Sequence, residues 1–272
     1  MEDKEKMLER VQALIAKAES TEHEEEAKIF FAKAQELLTK YSLSEYDLKN
    51  LGAKTNDTVV TIAFLVSEPC TTSKMRLLAT VSKANNVKIV NGGFRKRASK
   101  TEVPTDWRLN QPLRVASSDN KSVNYRTAYL TGFTRDIDAV TLLYTSMLIQ
   151  SYTAVAREAI PTYVNKGTWT SHFIQGFSDA IRPRLMAAKA STEKTVVEEA
   201  KANGSDMLPV LASRTKQVDA EYEQLWEGHL RRGRQSYNRS STGGYGAGRI
   251  AGSTADIGNR RVGGVGALGT GK

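Results

Sequence analysis

Arginine and lysine side chains are concentrated at two places in the sequence, where they could bind phosphate groups. The first cluster holds five cations and one aromatic ring: Arg95, Lys96, Arg97, Lys100, Trp107 and Arg108. Neighbouring cations repel each other, and phosphate oxygens can satisfy them while condensed counterions are released, which makes binding favourable and sensitive to salt. We expect this cluster to lie on a loop between two strands and to contact nucleic acid. The alternative is a solvated loop that keeps a sheet edge soluble.

The second cluster lies in the last 45 residues, where arginine alternates with glycine and tyrosine. Its members are Arg231, Arg232, Arg234, Tyr237, Arg239, Arg249, Arg260 and Arg261. Arginine makes bidentate contacts to phosphate, tyrosine offers a stacking face, and glycine lets the chain follow an irregular backbone. In composition the segment resembles arginine- and glycine-rich RNA-binding segments. We expect contacts mainly to phosphates, with little base specificity; a solubilising tail is the alternative.

A hydrolase site could in principle use four residues of one predicted helix, which are Ser171, His172, Ser178 and Asp179. Helical spacing brings the two serines onto one stripe, and the histidine and aspartate onto a neighbouring one. No nucleophile elbow surrounds either serine. The favoured interpretation is therefore the wet side of an amphipathic helix, and an enzyme with a site assembled from distant residues stays an alternative.

The sequence predicts neither a metal nor a cofactor. There is one cysteine, Cys70, and His23 has no second histidine four residues later, as a helical zinc site requires. Residues 246–251 have the letters Gly-x-Gly-x-x-Ala of a dinucleotide fingerprint, but no predicted strand precedes them. A complete phosphate-loop motif, Gly-x-x-x-x-Gly-Lys-Ser/Thr, is missing from the sequence.

The charge is distributed unevenly along the 272 residues, whose formal net charge is +9. Residues 1–50 carry 8 basic and 12 acidic side chains, whereas the remainder carries 31 basic and 18 acidic ones. A cationic field of this kind attracts polyanions. No apolar run approaches the roughly 20 residues needed to cross a bilayer, and no signal peptide is recognised. We expect a cytoplasmic protein that does not enter the membrane.

The pattern of the acidic residues 1–50 predicts a helical hairpin. Apolar residues from Met7 to Ile15 recur at three- and four-residue steps, and Thr21 with Glu24 forms a capping box at the start of a second helix. A short third helix is predicted to end before Gly52. The apolar face of the second helix, with Phe30, could cover the rest of the protein or bind another protein, and the sequence leaves both open.

The hairpin residues also carry a family resemblance. Residues 18–27 read Ala-Glu-Ser-Thr-Glu-His-Glu-Glu-Glu-Ala, and residues 32–41 read Ala-Lys-Ala-Gln-Glu-Leu-Leu-Thr-Lys-Tyr. They resemble the N-terminal helical hairpin of an uncharacterised family found in bacteria and their phages, and the segment from Trp169 to Leu185 is similar to that family's downstream domain. The resemblance implies a two-part architecture and a phage or bacterial origin. It implies no activity, because the family has no established catalytic residues.

The middle of the chain predicts a small α+β domain in the order strand, helix, strand, strand, helix. The β-branched run from Val59 to Val66 is typical of a buried strand, and a helix follows from Thr71 or Thr72. Further strands are predicted over 87–90 and 125–130, the former ended by a turn at 91–93. Helices are predicted over 134–160, 170–190 and 210–230, with Pro183 expected to kink or end the second of these.

Three parts are thus expected: a helical hairpin over 1–52, an α+β domain over 57–228, and a flexible basic tail over 229–272. The tail prediction follows from composition, since 13 of the 20 glycines fall between Gly228 and Gly271. The leading hypothesis is a non-enzymatic or accessory protein that binds DNA or RNA. The alternatives are a protein-interaction or virion-associated module, and an enzyme whose site the sequence does not reveal.

Overall fold

The computed structural model describes residues 58–98, 105–106, 111–112, 123–202, 208–230 and 243–257, together with ten single positions between 10 and 33. Five strands are described: β1 (Val59–Ser67), β2 (Lys88–Ala98), β3 (Thr105–Asp106), β4 (Gln111–Pro112) and β5 (Val123–Phe133). The helices that carry an assigned range are α1 (Thr71–Ala84), α2 (Thr134–Val155), α3 (Lys166–Ala202), α4 (Leu208–Trp226) and α5 (Gly244–Thr254).

Three of the strands form an antiparallel sheet in the order β1-β5-β2. Strand β5 is central and pairs with β1 without a shift, from Val59 opposite Phe133 to Ser67 opposite Tyr125. Helix α1 lies between β1 and β2 in the sequence, and α2 follows β5 directly. This confirms the predicted α+β class and the predicted order of the first elements.

Successive residues of β5 serve opposite faces of the sheet, as the two-residue period of a strand requires. Ala128 and Leu130 belong to the main apolar cluster, whose largest fully buried side chains include Phe173 and Phe177 of α3. Tyr129 belongs to a second cluster on the other face, where its ring lies 4.8 Å from that of Trp226 at the end of α4. The sheet is therefore covered on both faces by helices.

The turn predicted at Asn91-Gly92-Gly93 is wrong, because β2 continues through these residues to Ala98. A Cβ atom added at Gly92 would lie 2.8 Å from the carbonyl oxygen of Thr127 on β5. Glycine is needed there for the close approach of two strands, and a register shift between Asn91 and Phe94 absorbs the irregularity.

Helix α3 is longer than the predicted range of 170–190 and continues through Pro183. Its start is fixed by Asn165, whose Oδ1 accepts a 3.0 Å hydrogen bond from the amide of Thr168. Near its carboxyl end the pair of Lys194 and Glu198 has the i,i+4 spacing, with 3.7 Å between Nζ and Oε1. Pro183 is exposed and does not end the helix.

The described positions of the N-terminal hairpin pack on the α+β domain. Ala18 is 5% exposed and belongs to the same apolar cluster as Phe173, and the partly buried Leu14 and Phe30 pack against that cluster. At these positions the segment therefore packs on the main apolar cluster, as expected for the first of the two roles that the sequence left open. The predicted third helix and the predicted boundary near residues 52–57 lie outside the described residues.

The flexible tail predicted over 229–272 is wrong for residues 243–257, which contain α5 packed against α3. Gly244, Gly248 and Gly252 recur every four residues and are all buried. A Cβ atom added at Gly248 would overlap the carbonyl oxygen of Phe173, so the two backbones are in direct contact. The close contact between backbones supplies packing that the glycine-rich composition seemed to rule out. The Gly-x-Gly-x-x-Ala letters at 246–251 therefore lie inside a helix.

Candidate polyanion-binding surface

Strand β2 contains three residues of the first basic cluster. Arg95, Lys96 and Arg97 lie within this strand and not on a loop, and Arg95 is paired with Tyr125 of β5. The prediction of a loop failed because pairing with β5 resumes after the register shift and extends the strand to Ala98. Strand β2 is at the edge of the sheet, so three successive cations stand on an edge strand.

A two-stranded ribbon follows β2 in the chain. Thr105 of β3 is paired with Pro112 of β4, and Asp106 with Gln111. Two predicted site residues, Trp107 and Arg108, fall in the sequence between these strands, in residues 107–110 that lie outside the described part, as does Lys100. No sequence pattern predicts this ribbon, because strands of two residues are too short to show a period.

The second basic cluster is described at one position. Arg249 lies on α5 and is exposed. The other residues predicted in this cluster lie outside the described residues: Arg231, Arg232, Arg234, Tyr237, Arg239, Arg260 and Arg261. The structure therefore brings Arg249 onto a helix packed on α3, which the prediction of a flexible tail did not anticipate.

The carboxylate of Asp179 on α3 is contacted by polar side chains from three helices. Arg76 of α1 donates from one guanidinium nitrogen to both carboxylate oxygens, at 2.7 and 2.9 Å. Tyr245 of α5 donates its hydroxyl to Oδ2 at 2.9 Å, and a guanidinium nitrogen of Arg182 lies 3.9 Å from Oδ1. One partly exposed carboxylate thus fixes α1 and α5 to α3 and lies close to an exposed arginine.

Small hydroxyl side chains form further polar contacts between α1 and α3. The hydroxyl oxygens of Ser73 and Ser171 are 2.6 Å apart, and those of Thr80 and Ser178 are 3.0 Å apart. Gln175 also donates to Ser73 at 3.3 Å. Short side chains that satisfy each other allow two helices to pack closely without leaving buried polar atoms unpaired.

Three of the four residues considered for hydrolase chemistry, Ser171, Ser178 and Asp179, contact α1. The expectation that they form a wet helix face is wrong: His172 is 7% exposed, Ser178 is fully buried, and both serines hydrogen-bond to side chains of α1. Asp179 is engaged by Arg76 and Tyr245. Ser171, Ser178 and Asp179 thus connect helices, which is a structural role that the amphipathic pattern alone did not reveal.

Two side chains hydrogen-bond to the backbone at the carboxyl end of α5. Arg184 of α3 donates to the carbonyl oxygens of Gly252 and Ala255, at 2.7 and 2.8 Å. Gln150 of α2 donates to the carbonyl oxygen of Asp256 at 2.9 Å and accepts from its amide at 2.8 Å. A cation near the last carbonyls of a helix also interacts favourably with the helix dipole. Helix α5 is therefore held by specific contacts at both ends.

Burial lowers the pKa of Arg126, which lies on β5 opposite Val66 and Phe94. The cause is desolvation of its guanidinium, and arginine stays charged near neutral pH because its ordinary pKa is so high. Arg126 thus adds a cation to the sheet beside the register position of Arg95.

The metal-ligating side chains and the helices of the described part of the chain bear on metal binding and on membrane insertion. No group of three or more histidine, cysteine, aspartate or glutamate side chains there is arranged to hold a metal ion. None of the helices there combines the length and the apolar character needed to span a bilayer.

Comparison with curated proteins and with solved structures gives no match to this chain. One family model does match, over residues 6–45, which is the part that carries the Ala-Glu-Ser-Thr-Glu-His-Glu-Glu-Glu-Ala segment. The match confirms the resemblance of the hairpin to an uncharacterised family. That family is described as a protein of unknown function (DUF2786).

Proposed function

We propose that the protein binds the phosphate backbone of nucleic acid, DNA or RNA, with little base specificity. The observation that carries the proposal is the position of Arg95, Lys96 and Arg97 at the end of edge strand β2. Among the strands that the structure describes, none pairs with the outer side of β2, so this side is open to a ligand. Three adjacent cations at this edge favour a polyanion over a neutral partner.

The ribbon that follows supports the same partner. From Gly93 to Ser122 the chain carries seven basic and three acidic side chains, and β3 and β4 pair within this segment. A two-stranded ribbon fits the major groove of B-form DNA, and cations on it would meet the flanking phosphates. Trp107 and Arg108, between the two strands in the sequence, supply an aromatic face and a bidentate donor for the same contact.

Other cations extend the proposed surface. Lys100 belongs to the first cluster, and the arginine-rich sequence on either side of α5 adds further phosphate donors. A nucleic-acid partner and the resemblance of the hairpin are consistent with a protein that acts in the cytoplasm of a bacterium or of a phage-infected cell. We propose no catalytic step.

The test measures affinity for a labelled 25-base-pair duplex and for a single strand of the same length between 50 and 200 mM salt. Each phosphate contact on a duplex contributes about −0.9 to the slope of log K against log salt. The variant Arg95→Gln/Lys96→Gln/Arg97→Gln should therefore flatten the slope by roughly 2 to 3 and weaken binding to unrelated sequences alike.

The control variant is Lys166→Gln/Lys194→Gln/Lys216→Gln, which removes three exposed cations of α3 and α4. It changes the net charge equally and should leave the slope near its wild-type value. A wild-type slope near zero would contradict the proposal. The proposal would also be contradicted if no nucleic acid copurifies and one protein copurifies in stoichiometric amount, even after nuclease treatment.

A further inference from the structure

Helices α3 and α5 run parallel and in contact. Buried glycines of α5 meet successive turns of α3, with Gly244 against Trp169, Gly248 against Phe173 and Gly252 against Phe177. Because both series of residue numbers rise together, the two helices point the same way. Side chains one turn further along each helix therefore stay on the same side of the pair.

The hydrogen bond between Tyr245 and Asp179 defines that side. Arg249 follows Tyr245 by four residues on α5, and Arg182 follows Asp179 by three residues on α3. Both spacings put the second residue on the stripe of the first, one turn later. Because the helices are parallel, Arg249 and Arg182 lie on the same side of the helix pair, each one turn beyond a partner of this hydrogen bond.

The charge at this position is not balanced by the carboxylate. Asp179 is already engaged by Arg76 through both oxygens, and Arg182 reaches it only at 3.9 Å. The Arg182 side chain is 49% exposed, and Arg249 is exposed and has no ion-pair partner among the described residues. Two guanidinium groups, those of Arg76 and Arg182, already share the carboxylate of Asp179, so the exposed Arg249 adds a further positive charge on this side of the helix pair.

The site is also rigid. The backbone of α5 is in contact with that of α3 at Gly176 and Gly248, and Arg184 holds the carboxyl end of α5. Arginines presented from fixed helices lose less conformational freedom on binding than arginines on a flexible chain, so more of the contact energy is kept. Guanidinium groups also match the geometry of phosphate oxygens.

We propose that Arg182 and Arg249 form a phosphate-binding pair that gives the protein a second contact with the nucleic-acid backbone. This inference rests on the proposed function and adds to it a surface made only of helices. Arg182 has no neighbouring cluster in the sequence, since it stands with Pro183 and Arg184 in the middle of a long helix. Its role follows from the docking of α5 beside it.

The test compares Arg182→Gln/Arg249→Gln with the control Lys194→Gln/Lys201→Gln in the full chain. Both variants remove two exposed cations, and the control residues lie on the same helix further towards its carboxyl end. The probe is the labelled 25-base-pair duplex over 50 to 200 mM salt. We expect the arginine variant to flatten the log-log slope by about 1.8, which corresponds to two lost phosphate contacts, and the control to leave it unchanged.

Four outcomes decide the inference. A loss confined to the arginine variant, at an unchanged unfolding midpoint, supports it. Equal losses in both variants overturn it, because the effect would then be one of net charge. If the slope of the arginine variant is unchanged while the wild-type protein still binds the duplex, the inference is overturned and the proposed function stands. The same result is expected if the two arginines bind an acidic protein. Absence of wild-type binding overturns both.

Discussion

The hydroxyl of Tyr245 donates a hydrogen bond of 2.9 Å to Oδ2 of Asp179, across 66 residues of sequence. The same carboxylate accepts from Arg76, so one side chain connects α1, α3 and α5. The C-terminal helix is for this reason part of the folded domain, even though glycine dominates its composition.

Gly248→Ala should destabilise the protein by about 2 kcal/mol or more, because the added Cβ overlaps the carbonyl oxygen of Phe173 and α5 must move away. Gly246→Ala is the matched control, since a Cβ at Gly246 meets nothing within 4 Å. Alanine at that exposed helical position should stabilise by up to about 1 kcal/mol. Chemical denaturation of both variants measures the difference. Equal effects of the two substitutions would show that α5 is not docked through its glycines.

Tyr245→Phe should lower the free energy of unfolding by about 1 kcal/mol, because it removes one hydrogen bond to a carboxylate that is partly exposed. The control is Tyr163→Phe, in which the altered side chain is 88% exposed and little change is expected. The measurement is urea denaturation followed by the fluorescence of the three tryptophans. If the loss persists when Asp179 is replaced by Ala as well, which removes the acceptor, the hydroxyl acts through another group.

Trp226→Ala should cost roughly 3 to 5 kcal/mol, the usual range for a large aromatic side chain removed from a core. Trp226 is 3% exposed, and its ring lies 4.8 Å from that of Tyr129 in the second apolar cluster. Leu208→Ala at the other end of α4 is the control, since Leu208 is 52% exposed. Thermal unfolding distinguishes the two. A small effect of Trp226→Ala would mean that α4 does not protect this face of the sheet.

Ala18→Asp should destabilise the whole protein and not the hairpin alone. Ala18 is 5% exposed within the main apolar cluster, and a carboxylate there would lose its hydration without a partner. The control, Ile29→Asp, changes a side chain that is 67% exposed. Hydrogen exchange of α3 amides reports the coupling. Protection of α3 that stays at the wild-type level in Ala18→Asp would indicate that the hairpin folds independently.

Local sequence signals were sufficient for the elements with a regular period. The β-branched run from Val59 was predicted as a strand and forms β1, and the apolar spacing after Thr134 was predicted as a helix and forms α2. In both, the side chains that repeat are also the ones that the fold buries. Period and packing therefore indicate the same structure.

The errors arose where glycine acts through a distant contact. Gly92 was interpreted as a turn residue, yet it lets β2 approach β5 at Thr127. The four-residue spacing of Gly244, Gly248 and Gly252 indicates a close helix contact, whereas the glycine-rich composition of the segment predicts a flexible chain. The partner surface on α3 lies some 75 residues earlier, so no local window contains both halves of the contact.

The parallel contact between α3 and α5 has a practical consequence for anyone who shortens this protein. Ending the chain at residue 242 would seem harmless from composition, but it would uncover Trp169, which is 3% exposed, and the α3 surface that α5 covers. A bared aromatic patch on a long helix promotes self-association. A shortened chain that precipitates would then report an exposed helix face and not a failure of the sheet.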